Sequence, residues 1–94
     1  MSEIRFEEAG SKGRYVIRED GHEAELTFSR LSDLLVIADH TAVPGALSGR
    51  GLGKRLVEHL VDEAEAKGFR IVPLCPFVNA WRREHPEKAA LFEV

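Results

Sequence analysis

The polarity pattern near the start of the chain predicts two β-strands joined by a tight turn. Residues 14–20 (RYVIRED) and 22–30 (HEAELTFSR) alternate, or nearly alternate, between apolar and polar side chains. This is the period of a half-buried strand. Asp20 and Gly21 lie between the two segments, and Asp-Gly is a strong signal for a two-residue turn. We therefore expect the two segments to form an antiparallel hairpin.

The next apolar segment predicts a strand that is covered on both faces. Residues 33–43 (DLLVIADHTAV) begin with a continuous apolar run rather than an alternating one. Continuous runs are typical of strands that lie between two layers of structure. The run LLVIA at 34–38 is far too short to cross a bilayer, which takes about 20 apolar residues. We expect this segment to be the central strand.

A helical period begins after a glycine-rich stretch, LSGRGLG at 47–53. Its apolar positions recur at the spacing of one buried helix face: Leu52, Leu56, Val57, Leu60, Val61 and Ala64. Gly68 then stands where a C-terminal cap is expected. These features predict an amphipathic helix that ends at this glycine.

The last part of the chain predicts a short strand and a second helix. Residues 69–75 (FRIVPLC) have strand character, but Pro73 has no N–H for a sheet ladder, so the second half should leave its neighbour. Pro76 suits the first position of a helix, which should run to about His85 because Pro86 terminates it. The elements together predict an α/β (α+β-like) fold with two main helices.

Composition narrows the class of protein. Ninety-four residues with 44% hydrophobic content fit one small domain over residues 1–94, and the net charge of −3 argues against a general nucleic-acid-binding surface. A single cysteine excludes an intrachain disulfide, and the acidic N-terminal segment lacks the layout of a secretion signal. We expect a cytoplasmic protein with no membrane or nucleic-acid partner. No clustered Cys or His spacing predicts a metal site.

The helix after the glycines carries its charges at the unfavourable ends. Arg50, Lys54 and Arg55 crowd its start, and acidic residues crowd its end: Asp62, Glu63 and Glu65. The helix dipole disfavours each such placement by about 0.3–1 kcal/mol. A bound anion would reverse this preference, because exposed N–H groups, the dipole and the cations then act together. The alternative is a glycine turn that leads into an ordinary helix with solvated charges.

Two common phosphate-binding motifs do not fit the glycine-rich stretch. A Walker loop would need glycine and a hydroxyl residue where the chain has Ser48 and Arg55. The dinucleotide fingerprint G-x-G-x-x-G fails because Gly49, Gly51 and Gly53 alternate. The sequence therefore supports neither an ATP nor an NAD site.

The same stretch resembles the acyl-CoA loop of the GNAT N-acetyltransferases, whose pattern is [Q/R]-x-x-G-x-[G/A] at the start of a helix. Gly51 and Gly53 match its two glycine positions, and Ser48 stands where the pattern has Gln or Arg. Three further segments resemble a small, minimal subfamily of about this length: HTAVP (40–44), PLCPFV (73–78) and HPE (85–87). The resemblance covers nearly the whole chain.

The resemblance implies a mixed, mostly antiparallel sheet whose central strands splay apart, with acetyl-CoA as cosubstrate. In that family the loop amides hold the CoA pyrophosphate and the pantetheine arm lies between the splayed strands. The acceptor pocket would be open, since the chain is as short as the subfamily's members. The candidate cofactor-binding residues are Val43, Gly49, Arg50, Gly51, Leu52, Gly53, Lys54 and Asn79.

Cys75 and His40 are the candidate catalytic residues. Cys75 directly precedes the second helix, and a helix N-terminus favours the thiolate, although a lone cysteine also occurs as a small buried apolar residue. The resemblance places it near the thioester, where it could accept the acetyl group or shuttle a proton. His40, at the end of the third strand, could act as a general base or be a structural histidine. Asp39 would point to the opposite face if that strand is regular.

We therefore expect an acetyl-CoA-dependent N-acetyltransferase that acts on an amine of a small molecule or a protein. Transfer could be direct or pass through an acetyl group on Cys75. The alternatives are a catalytically silent CoA-binding or protein-interaction module on the same fold, and a simple phosphate- or nucleotide-binding domain. The sequence identifies neither the acceptor nor the oligomeric state.

Overall fold

An N-terminal strand that the polarity pattern does not predict forms one edge of the sheet. In the computed structural model, which describes residues 3–94, β1 (Ile4–Ala9) pairs antiparallel with β2 (Lys12–Glu19). All residues of β1 after Ile4 are exposed. An exposed edge strand does not need the apolar alternation that marks a half-buried one, which explains why the sequence gives no signal here.

The predicted hairpin is confirmed. β2 pairs antiparallel with β3 (His22–Ser32), from Glu19 opposite His22 to Lys12 opposite Ser29. Asp20 and Gly21 both have positive φ, 50° and 78°, as the two central residues of a type I′ turn require.

The remaining two strands complete a mixed sheet of order β1-β2-β3-β4-β5. β4 (Leu35–Ala42) runs antiparallel to β3, and the short β5 (Arg70–Val72) runs parallel to β4. β5 ends before Pro73, as predicted, and its last ladder pair joins Val72 to Ile37 of β4. The ladder ends at that pair, and the next contact between the two segments is the hydrogen bond from the Cys75 N–H to the Ala38 carbonyl of β4 at 2.8 Å.

Two expectations for β4 are wrong. It is the fourth strand of five, so β3 occupies the middle of the sheet. It is also covered on one face only, because Val36 and Ala38 are buried while the residues between and beside them are half-buried. The core residues of both helices belong to the same cluster as those of the sheet, so the helices share one face. The continuous apolar run at 34–38 therefore does not mean that a second layer of structure covers the other face of β4.

Both predicted helices are confirmed. α1 (Leu52–Lys67) lies between Gly51 and Gly68, whose φ values of 74° and 79° are left-handed. α2 (Pro76–Glu84) begins with Pro76 at its first position and ends before Pro86. Short 3₁₀ segments, Gly45–Leu47 and Pro86–Leu91, precede α1 and follow α2. None of the helices within residues 3–94 is long and apolar enough to cross a membrane.

Candidate functional site

The start of α1 carries backbone N–H donors without a side-chain cap among residues 3–94, and two of the residues that carry them, Leu52 and Gly53, are buried. The first helical hydrogen bond runs from the Arg55 N–H to the Gly51 carbonyl at 3.0 Å, so the N–H groups of residues 52–54 have no acceptor within the helix. No side chain in the described part of the chain caps this end, and the first turn of α1 contains no acidic residue. Gly49 and Gly51 both have positive φ, 79° and 74°, so the approach to the helix has the shape that glycine allows best. Such an end can bind an anion.

The side chains of the loop differ in what they can offer. Leu52 is 3% exposed and packs in the core, so only its backbone can contact a ligand. Gly53 faces the ring of Phe77, because a Cβ built there would lie 2.9 Å from the ring's Cζ. Lys54 is exposed and lines a cavity of about 260 Å³ together with Phe77 and Trp81 of α2. Lys54 is thus placed to meet a ligand that reaches α2 from the loop.

Arg50 is held by the β2–β3 turn. Its Nη1 lies 2.9 Å from Glu19 Oε1, and its Nη2 lies 2.8 Å from Asp20 Oδ2. Hydrogen bonds to Asp20 and then to Glu19 raise the pKa of the guanidinium. At the other end of α1, the acids have cationic partners: Glu63 pairs with Lys67 and Glu65 pairs with Lys88. Tertiary and local ion pairs therefore account for part of the charge arrangement that the helix dipole disfavours.

Two of the predicted cofactor-binding residues lie away from the glycines in sequence. Val43 is partly exposed and directly follows β4. Asn79 lies in the first turn of α2, where its N–H donates to the Cys75 carbonyl at 2.9 Å. Its Oδ1 accepts a 2.7 Å hydrogen bond from Arg82 Nε. Arg82 thus fixes the orientation of this amide.

Cys75 lies beside β4, just beyond the end of the β4–β5 ladder. It is the N-cap residue of α2 and 2% exposed, and its N–H donates to the Ala38 carbonyl of β4 at 2.8 Å. Its Sγ lies 3.4 Å from Thr41 Oγ1. Sequence reasoning missed Thr41, and its only available signal was its place beside His40 in HTAVP. The thiol of Cys75 therefore has a hydroxyl partner on β4.

His40 lies on the opposite side of the sheet from Cys75. Residues directly opposite each other in an antiparallel ladder share a face, and Thr41 lies opposite the core residue Leu26 whereas His40 lies opposite Thr27. We call the face that carries Arg14, Thr27 and His40 the open face, since α1 and α2 pack on the other. The exposed His40 side chain is therefore on the open face.

The opposite placement of Asp39 and His40 is expected only for a regular strand, and β4 is not regular at this point. The ladder shifts between Thr27 and Phe28, so that Asp39 is an extra residue on β4. The Ser29 hydroxyl donates to Asp39 Oδ2 at 2.7 Å, and Ser29 lies on the same face of β3 as Thr27. Asp39 and His40 thus both lie on the open face.

A cavity of about 570 Å³ lies beside this bulge, and its lining includes Glu7, Lys12, Arg14, Thr27 and Asp39. Thr27 Oγ1 is 3.4 Å from the His40 carbonyl, which places the cavity next to the candidate base. The charges around it are paired, since Arg14 contacts Glu7, Glu23 and Glu25. Among residues 3–94, no three His, Cys, Asp or Glu side chains converge to hold a metal ion.

The sequence and the fold agree on the family. The profile of the GCN5-related N-acetyltransferases matches residues 14–91, which is most of the chain and includes the glycine loop, β4 and Cys75. The chain belongs to the GCN5-related N-acetyltransferase family. Protein NATD1 of Bos taurus is 28% identical over 85 residues, which cover 88% of this chain and 75% of NATD1.

A solved member has the same architecture. The NMR solution structure of a GCN5-like protein from Staphylococcus aureus superposes with a TM-score of 0.68 at 24% identity, and the match covers 99% of this chain and 91% of that one. At this identity the likeness concerns the fold. The mixed five-stranded sheet and two main helices are therefore the GCN5-related fold in this chain.

Proposed function

We propose that this member of the family transfers an acetyl group from acetyl-CoA to a primary amine. The observation that carries the proposal is the uncapped start of α1, where the N–H groups of residues 52–54 have no helical acceptor. It follows a loop with two left-handed glycines and lies within a chain of an acetyltransferase family. These donors suit a diphosphate, and CoA carries one.

The cofactor site that we propose extends from the loop to the end of the β4–β5 ladder. The N–H groups of residues 51–54 receive the pyrophosphate, and Lys54 offers a cation from the first turn of α1. The pantetheine arm then lies beside the second half of β4, whose ladder with β5 has ended. Val43 and Asn79 flank this path from β4 and from α2.

The chemistry that we propose uses both faces of the sheet. When bound, acetyl-CoA supplies the thioester. The amine nitrogen attacks the carbonyl carbon, a C–N bond forms, the C–S bond breaks, and CoA leaves as a thiol after gaining a proton. His40, exposed on the open face beside the cavity of about 570 Å³, accepts the proton of the amine.

Cys75 lies on the cofactor side in this scheme. Buried beside Thr41, it either donates the proton to the leaving sulfur or takes the acetyl group first and passes it to the amine. In the second route the C–S bond of CoA breaks as a new thioester forms on Cys75, and attack by the amine then releases the thiol. The two routes predict different covalent states of the protein.

Thermal unfolding with acetyl-CoA, CoA and ATP tests the cofactor site. A ligand at about a hundred times its Kd adds ~2.7 kcal/mol, which raises the midpoint of a domain of this size by roughly 10–20 °C. We expect this shift with both CoA species and not with ATP. Gly51→Glu should abolish it, whereas the matched variant Gly68→Glu, at a left-handed glycine with φ of 79° at the other end of α1, should keep it.

Turnover tests the reaction. Release of CoA thiol in the presence of a panel of polyamines, amino acids and peptides should require His40, and His40→Ala should lower kcat more than it lowers CoA affinity. Intact mass after incubation with acetyl-CoA should show an added acetyl group, absent in Cys75→Ala, only if the relay operates. CoA binding without thiol release from any amine would favour the silent binding module instead.

A further inference from the structure

Arg50 lies between two glycines of the loop, and its side chain is held by ion pairs to another part of the fold. It stands between Gly49 and Gly51, and both glycines have positive φ. Its two guanidinium nitrogens contact Glu19 and Asp20 at 2.9 and 2.8 Å, and Glu19 lies 31 positions earlier in the sequence. The loop is thereby fastened to the type I′ turn at the end of the β2–β3 hairpin.

The charge balance around Arg50 is unfavourable for binding a phosphate. Its guanidinium already faces two carboxylates, those of Glu19 and Asp20. A pyrophosphate placed against the outer side of Arg50 would meet those carboxylates as well, at distances where their repulsion offsets much of the attraction. Lys54 has no such carboxylate partner among residues 3–94, and its first-turn position adds its charge to the helix dipole.

We propose that Arg50 is a positioning residue, which anchors the glycine loop to the β2–β3 turn in the shape that binds the diphosphate, while the backbone N–H groups and Lys54 meet the phosphate charge. This inference rests on the proposed acetyl-CoA site. It assigns the hairpin a part in cofactor binding, although Glu19 and Asp20 carry the same sign of charge as the ligand.

The physical reason is the conformational freedom of glycine. A loop with glycines on both sides of one residue has many alternatives to its bound shape, and binding must restrict them. An anchor that restricts them beforehand lowers this cost, which is how preorganisation raises affinity. The anchor itself is stiff, because Asp20 and Gly21 form the two-residue turn of a long antiparallel ladder.

The double variant Glu19→Gln, Asp20→Asn separates positioning from direct phosphate contact by the sign of its effect. Gln and Asn keep the shape of the side chains, and Asn tolerates the positive φ of 50° at position 20. If Arg50 positions the loop, the double variant weakens CoA binding by roughly threefold to tenfold, the range for two exposed ion pairs. If Arg50 binds the phosphates, removing two competing carboxylates strengthens CoA binding.

Two further proteins complete a mutant cycle: Arg50→Gln, and a triple variant that combines Arg50→Gln with Glu19→Gln and Asp20→Asn. If Arg50 positions the loop, Arg50→Gln should weaken CoA binding by a similar factor. The triple variant should then bind CoA no more weakly than the single or the double variant, because each of the three removes the ion pairs between Arg50 and the turn. Arg50→Lys should recover part of the affinity. Affinity for acetylpantetheine, which lacks the diphosphate, should not change in any of them, whereas a general loss of structure would lower it too.

Lys54→Gln is the matched control for a cation that meets phosphate. It should weaken CoA binding and make it less dependent on salt, while Arg50→Gln should leave the salt dependence close to that of the wild type. Tighter binding of CoA by the Glu19→Gln, Asp20→Asn variant overturns the inference and leaves the cofactor site standing. Failure of the wild-type protein to bind CoA overturns the proposed function and the inference together.

Discussion

Gly13→Ala tests whether the aromatic packing of the sheet requires a glycine. Gly13 lies opposite Phe28 in the β2–β3 ladder. A Cβ built on Gly13 would lie 2.4 Å from the ring's Cζ and 2.8 Å from its Cε1, distances that real Cβ atoms do not adopt. The ring is 1% exposed and lies close to Tyr15 and Phe6, with centroids at 5.3 and 6.0 Å, so these two rings restrict its movement, and the free space beside it is the cavity of about 570 Å³ that it lines together with Gly13.

The magnitude follows from two opposing effects. Overfilling a packed site costs about 1–3 kcal/mol, whereas replacing glycine by alanine restricts the unfolded chain and returns about 0.4–1 kcal/mol. The midpoints of these two ranges give a net loss of about 1.3 kcal/mol, which lowers the unfolding midpoint by roughly 5–10 °C for a domain of this size. Circular dichroism or calorimetry of the ligand-free protein measures it.

Gly53→Ala is the matched control, since its Cβ would also lie within 3 Å of a phenylalanine ring atom. That ring, Phe77, is 45% exposed and can rotate away, so we expect no loss of stability. Phe28→Leu removes the clashing atoms, and Gly13→Ala should cost less in that background than in the wild type. An equal cost in both backgrounds, or a Gly13→Ala protein as stable as the wild type, would refute the packing argument.

Three further predictions concern single side chains. Burial raises the pKa of Tyr15, so the stability it contributes is complete below the unfolded pKa of about 10 and is lost as the pH rises further; Tyr15→Phe should flatten the fall in urea midpoint above about pH 10. Thr41→Val should slow alkylation of Cys75 severalfold and Thr41→Ser should restore it, whereas equal rates in all three proteins would show that the 3.4 Å contact does not affect the thiol. Gly53→Ala should leave stability unchanged but weaken CoA binding by crowding the loop. An unchanged affinity would show that the diphosphate does not bind at residue 53.

Local chemistry made most elements of the fold predictable. Asp20-Gly21 specifies a turn because few other pairs accept two positive φ values, and Gly68 and Pro73 end their elements through backbone restrictions that act in any context. β1 could not be predicted, because its exposed side chains carry no periodic signal. The prediction that the strand containing residues 34–38 is covered on both faces was wrong, because a continuous apolar pattern does not specify how many faces of a strand are buried.

The candidate site was predictable only in part. The sequence indicated which residues could act, and the structure places Cys75 at the cap of α2 and beside β4, as expected from Pro76. It did not indicate that a bulge at Asp39 puts His40 on the open face while Thr41 faces the thiol. Which face a side chain occupies after a bulge depends on the ladder with the neighbouring strand, and a single strand does not contain that information.

The sequence by itself determined the order of the main elements, the glycine loop before α1 and the residue types available for acyl transfer. These follow from backbone preferences and from periodicities within each segment. Only the tertiary structure decided that Arg50 is paired with Glu19 and Asp20, that Phe28 fills the space over Gly13, and that the two candidate catalytic residues lie on different faces. Such contacts join positions far apart in the chain, so they exist only once the sheet has fixed its register and the helices have packed on one side of it.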